Sequence, residues 1–485
     1  MNIVFIASEG VPFVKTGGLA DVIGSLPHAL ADEGNRIQVF LPKHKTIPEQ
    51  YKRAMKTVYR GEITLGWRKQ YCGVEALRHD GINYYFIDNE FYFGRDNIYG
   101  YSDDPDEAER YVFFSKAVLE MLPHLLAKPD ILHLHDWQTS IIPIFLQTHY
   151  KQNAYYQAIK TIFTIHNLKY QGQFSRDLLG DIIEISSNEF YQNGLEYYGH
   201  INLMKGAINN ADLITTVSQT YAEEIQYAFF GEGLDGLLRK RCDSLHGIMN
   251  GISNTIYNPE KDSSLDFCYR DNQGKLLNKK ALQERLGLGV EDMPILAMVT
   301  RLVEQKGLDL VIHVVEQIME EDDIQMIILG TGEQPYANKL TEIANKYPHK
   351  FVFKNLFDEG LSRKVYAGAD CLLMPSLFEP CGLSQLIALR YGTVPIVRET
   401  GGLKDTIHSY NEFSGEGNGF SFTNYNADDM LYTIRRAIYF YKNKQKWNEI
   451  INNGRMQDFS WKQSAVKYDE LYQLLKTEDG DVDVF

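Results

Sequence analysis

No stretch of the chain comes near the roughly 20 successive apolar residues that a membrane-spanning helix needs. The start, "MNIVFIASEG", has no charged leader and no cleavage site, so its apolar run reads as a first buried strand rather than a signal peptide. Cysteine is scarce: Cys72, Cys242, Cys268, Cys371 and Cys381 form no C-x-x-C pair. So odd and scattered a set argues against a disulfide framework and a structural zinc site, and suits a reducing compartment. Positive charge is in deficit, with 49 Lys and Arg against 64 Asp and Glu, a formal net charge of −15. A general nucleic-acid binder normally shows a basic surface. An anionic small ligand stays open, because a local cationic cluster outweighs a diffuse negative field. The expectation is a cytoplasmic globular protein with neither nucleic acid nor membrane as partner.

What is present is length and alternation. At 485 residues the chain exceeds one ordinary core, so two or three domains are expected. Short runs rich in Val and Ile alternate with amphipathic, helix-length segments. In the first half they are Ile3–Ala7, Arg36–Leu41, Tyr84–Ile87, Ile131–His135, Lys160–His166 and Leu213–Val217. In the second half they are Ile295–Thr300, Gln325–Leu329, Lys350–Lys354, Cys371–Pro375 and Thr393–Arg398. Continuous apolar runs alternating with helices indicate parallel sheets buried on both faces. The predicted fold is therefore α/β, with two doubly wound parallel-sheet domains over 1–248 and 249–460. The polar interval Asn258–Asn278 reads as loop or linker. A last helix, 461–477, carries Tyr468, Leu471, Leu474 and Leu475 on its apolar side and is expected to pack back on the first domain.

Chemistry-bearing strings cluster at the predicted strand ends, where open α/β sheets bind ligands. Thr-Gly-Gly-Leu-x-Asp occurs twice, at Thr16–Asp21 and Thr400–Asp405, each after an apolar run and before a helix-like pattern. Each reads either as a tight turn or as backbone N–H groups offered to an anion; Lys15 tips the first copy towards phosphate. In "TRLVEQKG", Arg301 and Lys306 lie five apart across a strand-to-helix turn, the planar fork and flexible ammonium that clamp a diphosphate. In "FEPCGL", Glu379 precedes a turn into a helix, where N-capping is the plainer alternative. Cys381 lacks a neighbouring His and reads as a packing residue rather than a nucleophile. In "HLHDW", His133 and His135 share one strand face, as in metal-dependent hydrolases, but no matching ligand cluster follows. His166 in "TIHN" and Asp136 instead face a cleft. "LGTGE" and "NGI" are further glycine turns, and the acidic strings Asp103–Asp106 and Asp479–Asp483 read as solvated loop and tail.

Taken in order, "KTGGLADV", "HLHDWQT", "TIHNLKYQG", "VSQTYAEEI", "IMNGIS", "TRLVEQKGLDL", "LGTGE", "MPSLFEPCGLSQLIALRYGTVPIVRETGGLKDT" and "NGFSF" closely resemble bacterial glycogen synthases and plant starch synthases, retaining glucosyltransferases of the GT-B fold. The likeness runs from Met1 to about Trp461. It implies two Rossmann-like domains facing across a cleft that closes on the donor. It also implies ADP-glucose as donor, an α-1,4-glucan (glycogen or maltooligosaccharide) extended at its non-reducing end, and no cofactor or metal. By this resemblance Arg301 and Lys306 hold the diphosphate, His166 lies beside the donor glucose, and Glu379 holds that sugar. Lys15, Gly17 and Gly18 belong to the donor and acceptor side. Gly401 and Gly402 offer N–H groups to the phosphates. Cys381, Gly382, Leu383 and Thr400 join them among the substrate-binding positions, and Asp21, Asp136 and Asn250 line the same cleft. Many related retaining transferases carry a second Glu eight positions after the first; Ile387 stands there, as is general in this branch. That removes the obvious second carboxylate for a glycosidase-like mechanism. A silent glucan binder and a pyridoxal-phosphate-dependent phosphorylase are the alternatives on the same fold.

Overall fold

A computed structural model describes residues 1–100 and 106–477. The two acidic strings therefore lie outside the described residues, except Asp106, which opens the helix Asp106–Leu125. The chain divides into two compact units. The first comprises Met1–Val217, Ala222–Asn250 and the segment from Trp461; the second comprises Ser218–Tyr221 and Gly251–Ser460. The division after Asn250 falls two residues past the boundary read from the sequence.

In the first unit the strands are β1 (Asn2–Ile6), β2 (Arg36–Pro42), β3 (Lys56–Leu65), β4 (Arg68–His79), β5 (Ile82–Asp88), β6 (Ile131–His135), β7 (Lys160–Ile165), β8 (Gln173–Phe174), β9 (Glu196–Tyr197), β10 (His200–Asn202), β11 (Leu213–Thr216) and β12 (Leu245–Gly247). Nine of them form one sheet in the order β12–β11–β7–β6–β1–β2–β5–β4–β3. The pairings from β12 to β5 are parallel, whereas β5–β4 and β4–β3 are antiparallel. Strands β8, β10 and β9 make a small antiparallel sheet. Ile3, Val4, Phe5 and Ile6 have no exposed surface, as a strand covered on both faces requires.

The second unit carries β13 (Ile295–Val299), β14 (Gln325–Leu329), β15 (Phe351–Lys354), β16 (Cys371–Met374), β17 (Val394–Arg398) and β18 (Phe420–Phe422). They form an all-parallel sheet ordered β15–β14–β13–β16–β17–β18. Its two faces feed different cores. Leu296, Met298, Met326 and Ile328 pack with the helices Leu308–Glu321 and Ala427–Lys442, while Ile295, Ala297, Ile327 and Leu329 pack on the opposite side with Leu282 and Val365. Period-two side chains buried on both faces are what a doubly wound sheet demands. Strand order reverses between β1 and β6 in the first sheet and between β13 and β16 in the second. At such a point the two following loops diverge and leave a crevice at the strands' carboxyl ends.

Three expectations are corrected. The antiparallel hairpin β3–β4 was not foreseen: "KTVYRGEITL" and "RKQYCGVEALRH" mix charge with β-branched and aromatic residues, as half-solvated strands do. The interval Asn258–Asn278 is not all loop, because the helix Asn272–Leu286 begins inside it, capped by Asp271 accepting from the Gly274 N–H. Its inward face is mostly polar, burying Lys275, Asn278, Lys279 and Gln283 beside the single apolar Leu282, so it shows no apolar stripe. On the last helix, Trp461–Thr477, the buried face is Trp461, Ala465, Tyr468, Tyr472 and Leu475, packed with Ile3, Phe5 and Leu30; Leu474 is 44% exposed. The spacing of four between Tyr468 and Tyr472 outranks the adjacent leucines.

No helix among the described residues is long and apolar enough to cross a membrane. All five cysteines are free thiols.

The polar helix is anchored by its buried lysines. Lys279 Nζ lies 2.8 Å from Asp370 Oδ2 and 2.8 Å from the Tyr441 hydroxyl. Lys275 Nζ donates to the carbonyl oxygens of Tyr366, Ala367 and Tyr391 at 3.0–3.3 Å and to Thr393 Oγ1 at 2.7 Å. Burial pulls the Lys275 pKa down to about 7. Truncation strands several buried oxygens, each costing about 1–3 kcal/mol. Lys275→Ala is therefore expected to lower the thermal unfolding midpoint of the second unit by on the order of 5–10 °C. A change within experimental scatter would show that those carbonyls find water instead.

Candidate functional site

In the first unit the β1 and β6 loops flank the order reversal. After β1 the chain runs through Glu9, 3% exposed, to the first glycine string. The Glu9 carboxylate accepts from the Thr16 N–H at 2.5 Å and from Thr16 Oγ1 at 2.9 Å, and also from the Gly17 N–H. Burial holds its pKa above the usual carboxylate range against those bonds. The amides of Thr16 and Gly17 thus already hold an internal carboxylate. Gly18 opens the helix Gly18–Ile23, and Lys15 Nζ is paired to Asp21 Oδ1 at 2.7 Å.

After β6, Asp136 adopts φ 56°, ψ −178°, a region nearly restricted to glycine that costs on the order of 1–3 kcal/mol. Its side chain turns to the end of β7: Oδ1 accepts from the His166 N–H at 2.8 Å, and the Asn167 N–H also donates to the carboxylate. Burial, opposed by those amides, raises the Asp136 pKa to about 7. The strain is held by a contact that fixes the loop carrying His166. His166 Nε2 lies 3.0 Å from His135 Nδ1, and burial lowers its pKa to about 3, so the ring is neutral. His133 is bonded to Tyr472 and Thr164 hydroxyls. Among the described residues no group of three His, Cys, Asp or Glu could hold a metal ion. Asn250 is 5% exposed, and its Oδ1 bonds no atom among the described residues.

In the second unit, the loops after β13 and β16 come together. Lys306 Nζ is 2.6 Å from Glu379 Oε2, which also accepts from Ser376 Oγ at 2.9 Å. The loops are stitched by backbone and side chain: Leu377 N–H donates to the Gln305 carbonyl at 2.9 Å, and Gln305 Nε2 to the Phe378 carbonyl at 3.1 Å. Arg398 reaches from β17 to the Ser376 and Leu377 carbonyls. Gly307, at φ 69°, passes so close to Pro375 that a Cβ would sit 2.1 Å from its carbonyl oxygen. Arg301 is exposed, and its guanidinium makes no hydrogen bond or ion pair with described residues.

The second glycine string packs on the backbone of "EPC". A Cβ on Gly401, at φ 44°, would lie 2.0 Å from the Glu379 carbonyl oxygen, and one on Gly402 2.0 Å from that of Cys381. The Gly402 N–H donates to the Glu379 carbonyl at 3.1 Å. Thr400 caps the helix Gly401–Thr406 from an extended backbone. Gln385 Nε2 bonds the Cys381 and Gly382 carbonyls at 3.1 and 2.9 Å, pinning the turn of Gly382, at φ 73°, and Leu383. Cys381 is 6% exposed, and Ile387, also 6% exposed, sits in the apolar core with Leu386 and Tyr391.

Two unlike halves of one transferase are recognisable by comparison. Residues 2–240 match the family described as Starch synthase catalytic domain, and residues 282–457 match Glycosyl transferases group 1. A glycogen synthase of Alkaliphilus metalliredigens is 52% identical over 478 residues, covering 98% of this chain and 100% of its own. The chain belongs to the glycogen and starch synthase family. A glycogen synthase of Geobacillus stearothermophilus is 51% identical, with 99% of each chain covered. Among solved structures, the catalytic domain of starch synthase IV from Arabidopsis thaliana, bound to ADP and acarbose, superposes with a TM-score of 0.90 at 33% identity, covering 98% of this chain and 99% of that one. A glycogen synthase family member is a glycosyltransferase, and its two parallel-sheet domains are of GT-B type.

Sequence reasoning missed Glu9, Ser376, Gln305, Arg398 and the role of His135. Ser376 was visible as the serine three residues before Glu379. His135 was considered only as a metal ligand. Glu9 bonds a loop only seven residues on but carries no motif of its own, and Arg398 acts across a fold contact.

Gly401→Ala must push Glu379 aside, and misplacement by about 1 Å costs on the order of 10²-fold in rate. Such a loss of kcat is expected from steady-state assays; near-normal turnover would mean the loops part without consequence. Asp136 gives a pH test. Its pKa rises from ~3.9 in the unfolded chain to about 7 in the folded one. Its stabilising contribution is therefore complete below ~pH 4 and lost as pH rises through about 7. Asp136→Asn cannot ionise, so its thermal midpoint should gain on that of the parent between those limits. A constant difference across the range would contradict the raised pKa.

Proposed function

We propose that the chain transfers a glucosyl group from ADP-glucose to the non-reducing end of an α-1,4-glucan, glycogen or a maltooligosaccharide, with retention at the anomeric carbon. The observation that carries this reading is the Lys306–Glu379–Ser376 cluster at the β13/β16 reversal, with Arg301 exposed on the same loop as Lys306. Cations at that crevice suit a diphosphate leaving group. The starch synthase IV structure is bound to ADP, the product such a donor releases. In this proposal Arg301 and Lys306 take the diphosphate, Glu379 takes the sugar hydroxyls, and His166 lies beside the transferred glucose. Lys15, Gly17, Gly18, Asp21 and Asn250 serve the donor and acceptor side. Free thiols fit work in a reducing cytoplasm.

Glu379 Oε2 already accepts two hydrogen bonds, which suits a fixed acceptor better than an attacking nucleophile. The place of a second carboxylate is taken by buried Ile387, so a two-carboxylate double displacement lacks its partner. The acceptor hydroxyl instead attacks from the face the diphosphate leaves. The anomeric carbon–oxygen bond to phosphate breaks, the new glycosidic bond forms, and the departing phosphate oxygen takes the hydroxyl proton. Preorganised cations stabilise the charge that grows on that oxygen.

The 485-residue chain incubated with glycogen and either nucleotide sugar tests the reading by the nucleoside diphosphate released. Faster release from ADP-glucose than from UDP-glucose is expected, and the reverse order would overturn the donor assignment. Lys306→Ala should lower kcat by about 10²–10³, the usual loss for one charge-stabilising donor. A folded variant losing less than roughly tenfold would remove Lys306 from that role.

A further inference from the structure

We propose that His135 is a positioning residue: it fixes His166 in the tautomer whose proton is on Nδ1, so that His166 meets a sugar hydroxyl as a hydrogen-bond donor. The sugar as ligand rests on the reading above; the tautomer does not.

Strand β6 presents His133 and His135 on one face, their rings stacked with centroids 4.4 Å apart at 27°. Phe5 of the neighbouring β1 stacks on His135 at 5.4 Å and 20°. His133 is locked through both nitrogens, Nδ1 being 2.8 Å from the Tyr472 hydroxyl and Nε2 2.7 Å from Thr164 Oγ1. Thr164 Oγ1 is in turn 2.6 Å from Thr215 Oγ1. His135 thus rests between Phe5 and a His133 held at both nitrogens, and its own edge is aimed at His166.

Burial keeps all three imidazoles below their ordinary pKa. Each ring is then neutral and carries one proton. His135 Nδ1 and His166 Nε2, 3.0 Å apart, must share one hydrogen bond, and only its direction is open. His135 Nε2 is buried and bonds no atom among the described residues. Were the proton there, a buried N–H would be orphaned, the rarer and costlier defect. With the proton on Nδ1, His135 donates to His166 Nε2, and only a lone pair is left unpaired. His166 must then carry its own proton on Nδ1. That atom bonds no described atom, and the ring is half-buried rather than enclosed. A neutral ring with its proton on Nδ1 and its Nε2 lone pair engaged offers a ligand a donor and no base, as the mechanism above needs.

The full chain, labelled with ¹⁵N in its histidine rings, allows the protonated and bare nitrogens to be read by long-range proton–nitrogen NMR near neutral pH without substrate. The His166 signals are those lost in His166→Gln. They are expected to show a protonated Nδ1 and a bare Nε2. His135→Phe keeps a flat ring in the stack but no donor, and should move His166 towards the Nε2–H form and lower kcat about tenfold, the scale of one hydrogen bond. His135→Asn, whose side-chain N–H lies where Nδ1 does, should restore both. A protonated Nε2 on His166 in the parent protein, or a tautomer unmoved by His135→Phe, would overturn the inference. The spectrum is read without sugar, so a wrong donor assignment leaves it unchanged.

Discussion

When a parallel sheet sends its crossovers to one face on one side of a strand and to the other face beyond it, the loops leaving that pair of strands must diverge. Both units of this chain are built on that constraint, at β1/β6 and at β13/β16. Nearly every residue of chemical interest sits on the loops that follow. In the second unit the diverging loops would leave Lys306 and Glu379 isolated. They meet because the Gln305 backbone and amide hold Leu377 and Phe378, and because Gly307 lets its loop pass over Pro375. The ion pair is therefore a product of loop packing, and the loop packing is a product of strand order.

The glycine strings follow the same logic in two different ways. At Gly401 and Gly402 the missing side chains let one loop lie on the carbonyls of Glu379 and Cys381. At Thr16 and Gly17 the backbone wraps a carboxylate from its own unit, Glu9. A repeated motif thus serves close approach within the protein first. Whatever it offers a ligand is what remains after those bonds are made.

Much of this architecture could be read from the residues. The run Ile3–Ala7 is apolar throughout, and Ile131–His135 and Gln325–Leu329 carry apolar residues on both faces, so their two-sided burial was plain. The hairpin β3–β4 and the helix Asn272–Leu286 were not, because one is half solvated and the other buries lysines against carbonyls and Asp370. The site divides similarly. Motif strings singled out Arg301, Lys306, Glu379 and His166 as candidates, since their spacing along the chain is local. Ser376 lies three residues from Glu379, but the bonds that orient His166 come from Asp136 and His135 and depend on which strands become neighbours. Charge type and spacing along a chain do not encode that adjacency.

The last helix has a consequence for how the protein is made. Trp461, Ala465, Tyr468, Tyr472 and Leu475 complete a core whose other members lie within residues 1–248, and Tyr472 closes the bond that locks His133. During synthesis from the amino terminus, the first unit emerges from the ribosome long before these side chains exist. Its apolar seat must wait while the entire second unit is translated. A chain released early, short of Tyr472, would carry every motif described above yet leave that seat uncovered, a natural mark for chaperones to read.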